Sequence, residues 1–199
     1  MYSLAQKLFT RPQMTWMGLV SKIILVGLVL MLTLFSSVAV ANAQTRCWTT
    51  VGSTGTVTDL ADSEAAGIDG NHIGIRREVS NATVSIRYNV TAVSGIFGGE
   101  RNTKTIAVRF VDNGDAAQVM VKLQQLNLST GSLSTLAELN SNNFQPNFQA
   151  QERVIPFNCQ RPDFDFSKNV YYIVVELIKT GADGRPLIRG IRICGNGIC

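Results

Sequence analysis

The sequence predicts an all-β chain: an antiparallel β-sandwich or jelly roll of about seven to nine strands, preceded by an N-terminal signal helix. Three observations carry that expectation. Several segments alternate apolar and polar residues with period two, turn-forming residues recur at short intervals between them, and no convincing helical pattern follows the apolar N-terminal run. A closed barrel is the second architecture that the same pattern allows.

Residues 1–43 read as a secretory signal. Lys7, Arg11 and Lys22 precede an apolar run of thirteen residues, 23–35, and Ala41-Asn42-Ala43 places small residues at a cleavage site. The wider segment 19–41 approaches the ~20 residues that span a bilayer, so an uncleaved anchor is the alternative, and a membrane would be met only through it. Lys22 divides that segment, which favours cleavage after Ala43. The expected destination is secreted, periplasmic or cell-surface.

Cleavage would remove three of the 18 basic residues and none of the 14 acidic ones, so the net charge falls from +4 to +1. A chain so nearly neutral lacks the basic patch that nucleic acid requires, and no nucleic-acid partner is expected. Residues 44–199 suit a single β-sandwich domain able to bury its own core.

Short strand candidates follow the signal at 46–51, 55–59 and 73–79. Residues 82–91 carry the clearest pattern, with Val84, Ile86, Tyr88 and Val90 alternating with Ser85, Arg87, Asn89 and Thr91. One face of this strand packs inward and the other is wet. The segment 105–111 repeats the pattern, with Ile106, Val108 and Phe110 inward. In 118–128 the inward residues are Val119, Val121 and Leu123, and the apolar parity then changes at Leu126 and Leu128, as across a β-bulge.

Ser129-Thr130-Gly131-Ser132 turns the chain into a hairpin partner at 133–139, where Leu136-Ala137-Glu138-Leu139 could equally make a helical turn. The amide-rich stretch 140–151 is expected as a solvated loop, and 153–157 as a short strand. In 169–180 both parities are apolar, which predicts a central strand covered on one face by the opposite sheet and on the other by loops or a partner. The glycines of the turn 181–186 are expected to supply positive φ before a last strand at 187–194.

Cys47, Cys159, Cys194 and Cys199 all lie beyond the signal and are read as disulfide partners, in an oxidising compartment, ahead of metal or thiol chemistry. Four cysteines allow three pairings. If the first strand runs antiparallel beside the last, Cys47 meets Cys194 and leaves Cys159 for Cys199. The competing pairing joins Cys194 to Cys199 across Gly195-Asn196-Gly197, and Cys47 to Cys159. Trp48 is expected in the core beside Cys47.

No catalytic grouping stands out. His72 is the only histidine, sits in a loop-like Asp69-Gly70-Asn71-His72, and has no nucleophile elbow to serve. Asp163 and Asp165 are near enough in sequence for a glycosidase pair, but they alternate with Phe164 and Phe166 as at a strand edge. Asp112, Asn113 and Asp115 could bind calcium, as could the acidic stretch with Asp59, Asp62 and Glu64, although turn chemistry explains Asp112-Asn113-Gly114-Asp115 and no other cofactor is implied. Three N-x-S/T sequons, at Asn81, Asn89 and Asn127, matter only in a eukaryotic source.

Sugar binding by a β-sandwich uses exposed aromatics beside amides. Phe144 and Phe148 lie with Asn143 in the amide-rich segment, and Phe97 stands at a glycine-flanked loop tip, so these four residues are the binding candidates. The expected function is a non-catalytic binding or structural protein of the cell exterior, acting in adhesion, matrix or glycan contact with an extracellular glycan or protein partner. Two alternatives remain open, a small secreted carboxylate-dependent hydrolase of polysaccharide and a surface filament subunit. The ligand, the oligomeric state and the disulfide connectivity are not fixed by the sequence.

Overall fold

The computed structural model describes residues 47–92, 102–156 and 164–198. The expected signal segment 1–43 and its helix therefore lie outside the described residues, as do Phe97, Cys159, Asp163 and Cys199. In chain order the strands are β1 (Cys47–Val51), β2 (Thr56–Val57), β3 (Ala66–Asp69), β4 (His72–Ile75), β5 (Ala82–Val90), β6 (Asn102–Asp112), β7 (Ala117–Asn127), β8 (Leu133–Asn140), β9 (Asn147–Pro156), β10 (Asn169–Lys179) and β11 (Leu187–Ile198). They form two sheets with antiparallel pairing throughout. The first has the order β3-β4-β11-β6-β9 with β1 also on β11, and the second runs β2-β5-β10-β7-β8.

The alternation seen in the sequence places one apolar parity of each strand between the sheets. Ile106, Val108 and Phe110 of β6 and Ile191 and Ile193 of β11 share one buried cluster with Val84 and Ile86 of β5, Val121 and Leu123 of β7, and Ile173, Val175 and Leu177 of β10. Each such side chain contributes about 1.5–3 kcal/mol when fully buried, so this shared layer is what holds the sandwich together. Trp48 belongs to the same cluster. β1 runs antiparallel to β11 with Cys47 opposite Cys194, and a disulfide joins them at a Cα–Cα separation of 4.3 Å.

Several elements differ from the sequence expectation. Of the segment 73–79 only 73–75 is strand, the end of β4, and β4 pairs with an additional strand, β3, in a hairpin whose turn holds Gly70 at φ 56°, a left-handed conformation that glycine adopts easily. This raises the strand total above nine. A short helix, α1 (Leu60–Ala65), follows β2, capped by Asp59, whose side chain accepts from the Ala61 N–H at 2.9 Å. Six residues are too few for helical periodicity to register in the sequence. Asp62 of α1 then accepts from the Ser85 N–H at 3.0 Å, which ties the helix to β5.

The amide-rich stretch is a loop only in part. Residues 147–156 form the edge strand β9, paired with β6 from Thr105↔Pro156 to Asp112↔Asn147. An edge strand is held by its backbone ladder, so mostly exposed amide side chains do not prevent it from forming. Nor do the glycines of 181–186 supply positive φ, because the left-handed glycines among the described residues are Gly70, Gly114 and Gly131. Gly184 is needed for close approach instead: a Cβ there would lie 2.0 Å from the Ala116 carbonyl oxygen. Lys179, at the end of β10, is buried, and its Nζ donates to the carbonyls of Arg76 (3.3 Å) and Arg77 (3.2 Å).

Candidate functional site

The second sheet turns one face to the core and the other outward, and its register sets the outward side chains in rows across β5, β10, β7 and β8. One row is Asn89, Tyr172, Gln124 and Thr135. Beside it lies a row of Arg87, Val174, Lys122 and Glu138. On the other side, Val170, Leu126 and Leu133 form an apolar row, with Leu128 just beyond the end of β7. Val170, Leu133 and Leu128 are 40%, 54% and 60% exposed, so this is a wet surface with a clear apolar end.

The parity change read at Leu126 is therefore not a bulge in β7. β7 keeps an unbroken register with β10 from Ala117↔Lys179 to Asn127↔Asn169, and the extra residue, Leu136, lies in β8, between Ala137 (opposite Leu123) and Thr135 (opposite Gln124). Leu126 is apolar and faces outward. The outward face of β10, expected to be covered by loops or a partner, is covered only in part by the described residues of this chain. Tyr172, Val174, Glu176 and Ile178 are only half-buried and Val170 is exposed, with shielding that comes from neighbours on the same face.

Two of those neighbours set the electrostatics. The Arg87 guanidinium lies over the Tyr172 ring, 4.7 Å from its centroid, in cation–π contact. Lys122 Nζ is 3.8 Å from Glu176 Oε2, so its charge is compensated within the sheet. Arg87 is exposed, and among the described residues it makes no ion pair or hydrogen bond. Its donors stay free while its plane is held by the ring.

Of the four binding residues expected from sequence, three lie among the described residues. Asn143 is exposed in the turn before β9, whereas Phe144 packs partly against the core with the Arg153 guanidinium 5.0 Å from its ring centroid. Phe148 is 74% exposed on β9, and no ring contact joins it to Phe144. Phe97 lies outside the described residues.

The carboxylates serve turns. Asp112 is buried and its Oδ1 accepts from the Gly114 N–H at 3.0 Å. Asn113 bridges to the turn after β10: its Nδ2 donates to the Asp183 carbonyl at 2.7 Å, and its Oδ1 accepts from the Arg185 N–H at 2.6 Å. Both amide atoms of Asn113 are thus engaged by the turn after β10. Among the described residues no three His, Cys, Asp or Glu side chains are grouped to hold a metal.

Asp165 does not sit on a strand edge, because residues 166–168 form a turn that packs Phe164 and Phe166 against the Tyr171 ring at centroid distances of 4.4 and 4.9 Å. The hydrogen bond from the Ser167 hydroxyl, with its N–H and the Lys168 ammonium in support, holds the Asp165 carboxyl below the usual range. That is the wrong direction for a general acid, whose pKa must rise. His72 is not in a loop. It opens β4 half-buried, opposite Asp69, with Nε2 3.9 Å from the carboxylate.

Sequence reasoning missed the outward row altogether. Arg87 and Asn89 were legible only as the wet parity of a strand, and Tyr172 only as one apolar residue among many. What joins them is the register of β10 between β5 and β7, and no local pattern encodes that.

The chain matches no protein-family model, and no curated protein is similar to it in sequence. Among solved structures it is similar to the C-terminal CBM6 of LamC, a marine laminarinase from Zobellia galactanivorans, at 14% identity over 75% of this chain and 99% of that one, with a TM-score of 0.43. It is also similar to the CBM36-1 domain of a multidomain xylanase from the hindgut metagenome of Trinervitermes trinervoides, at 17% identity over 77% and 100%, TM-score 0.39. The VP2 subviral particle of infectious bursal disease virus is a third, at 10% identity over 78% of this chain and 33% of that one, TM-score 0.37. Likenesses this distant say nothing of what the chain binds.

Proposed function

We propose that this protein is a non-catalytic glycan-binding β-sandwich of the cell exterior, and that the outward face of the second sheet is its binding surface. The observation that carries the reading is the row in which Tyr172 stands directly between two amides, Asn89 and Gln124. A sugar ring has an apolar face of C–H groups and a rim of hydroxyls. An aromatic ring answers the first, and flanking amides, each able to donate and accept, answer the second. An open sheet surface takes an extended chain without needing a deep cavity. The signal expected at 1–43 and the Cys47–Cys194 disulfide fit an oxidising, extracellular setting.

Binding is tested with the secreted protein against a panel of plant, algal and bacterial polysaccharides by affinity electrophoresis, followed by calorimetry on the best oligosaccharide. Tyr172→Ala should weaken binding at least tenfold, which is about 1.4 kcal/mol, while the circular dichroism spectrum and unfolding midpoint stay near wild type. Asn89→Ala with Gln124→Ala should weaken it comparably. Wild-type affinity in Tyr172→Ala, or no binding by the wild type across the panel, would sink the reading.

A further inference from the structure

We propose that Arg87 makes this surface selective for glycans that carry carboxylates, that is, chains containing uronate residues. The inference rests on the glycan-binding reading above and deepens it. Arg87 occupies the row next to Asn89, Tyr172 and Gln124, with its guanidinium 4.7 Å from the Tyr172 centroid. A ligand lying along Tyr172 would meet that cation.

The other cation of these rows is compensated where it stands, and so is one on the first sheet. Arg192 Nη2 is 2.5 Å from Glu152 Oε1 on the outward face of the first sheet, and Lys122 is paired with Glu176, with Glu138 facing it across the strand. Arg87 has Val174 opposite it and no carboxylate partner among the described residues. Its position is therefore the one place in the rows where a ligand anion would be met by an uncancelled charge. The anion belongs on the β5 side of Tyr172, away from Glu176 and Glu138.

The geometry favours a carboxylate over a neutral group. A guanidinium is planar and always charged, and its parallel N–H pair matches the two oxygens of a carboxylate. Contact with the Tyr172 ring restrains that plane before a ligand arrives, so less rotamer freedom is lost on binding. A neutral hexose offers Arg87 only hydroxyl groups.

The test uses the secreted full chain and calorimetry with oligogalacturonate, oligoalginate and oligoglucuronate of equal length, each against its carboxyl-reduced counterpart, with a sulfated neutral galactan as a further arm. Wild type should bind at least one uronate chain tenfold or more tighter than its reduced form, and the preference should shrink as salt rises. Arg87→Gln should abolish the preference, so that uronate and reduced chains bind it equally, and Arg87→Lys should restore only part of it. Equal affinity for uronate and reduced chains overturns the inference and leaves the glycan reading standing. Tighter binding of the sulfated chain, or a preference that survives Arg87→Gln, also overturns it. Failure to bind any chain, charged or reduced, overturns both.

Discussion

Replacing Tyr88 with Phe tests how the two sheets are fastened at one end. Tyr88 lies on the inward parity of β5 and is almost wholly buried, and its hydroxyl donates to the carbonyl of Gly52 at 2.6 Å. Gly52 opens the turn that leaves β1, so the bond links the first sheet's entry to the second sheet. That turn has no slack, since a Cβ on Gly52 would lie 2.1 Å from the Ile188 carbonyl oxygen. Phenylalanine keeps the ring and its packing, and leaves the Gly52 carbonyl without its donor. A buried acceptor stripped of its partner costs about 1–3 kcal/mol, which sets the expected loss at neutral pH.

The same hydroxyl fixes a pH dependence whose sign can be worked out. Burial pushes the Tyr88 hydroxyl well above its ordinary pKa of 10.0. Above roughly pH 10 the unfolded chain has released this proton while the folded chain still holds it, so the folded state binds more protons and stability falls as pH rises. One unit above that point the loss amounts to about 1.4 kcal/mol. Tyr171, whose hydroxyl burial also raises, contributes equally to both proteins. Urea midpoints at pH 7 and pH 11 should therefore show Tyr88→Phe less stable than wild type at pH 7, with the gap narrowed by about 1.4 kcal/mol at pH 11. A gap unchanged between the two pH values, or no gap at pH 7, would refute the reasoning.

The disulfide and one glycine give two further expectations. Cys47→Ala with Cys194→Ala releases a crosslink between residues 147 apart, which the chain-entropy model values at about 5 kcal/mol; urea unfolding should show a loss of that order, and one below about 1 kcal/mol would refute the crosslink's role. Gly184→Ala forces a methyl to within 2.0 Å of the Ala116 carbonyl oxygen and should lower the melting temperature by about 2–4 °C for each of the roughly 1–3 kcal/mol such overpacking costs. Gly181→Ala, which meets only the Ala116 Cβ at 3.2 Å, should be milder, and equal effects at the two glycines would count against close approach as the cause.

The parts of the fold legible in the sequence are those where burial alone dictates the pattern. β5 and β6 were readable because Val84, Ile86 and Tyr88, or Ile106, Val108 and Phe110, repeat at period two over a face that the opposite sheet seals. The Cys47–Cys194 contact followed from placing the first strand against the last. Elements held by other forces were not readable. β9 rests on a backbone ladder that amide side chains do not advertise, α1 on a single capping carboxylate, and Gly184 on a long-range approach to Ala116.

The outward surface illustrates the same limit with the opposite sign. Leu126 and Leu128 looked like a change of inward parity because an apolar residue is read by default as facing the core, yet the register with β10 puts Leu126 on the surface beside Val170. That register is fixed by what lies underneath. Sliding β10 by one residue against β5 and β7 would turn Ile173, Val175 and Leu177 out of the core, so the inward packing that forbids the slip also sets Tyr172 between Asn89 and Gln124. The core packing thus fixes the order of side chains in the outward row. Substitutions along the outward row should change binding and leave stability nearly alone, whereas a change at Ile173 should disturb both, and that contrast separates a surface built for recognition from an incidental wet face.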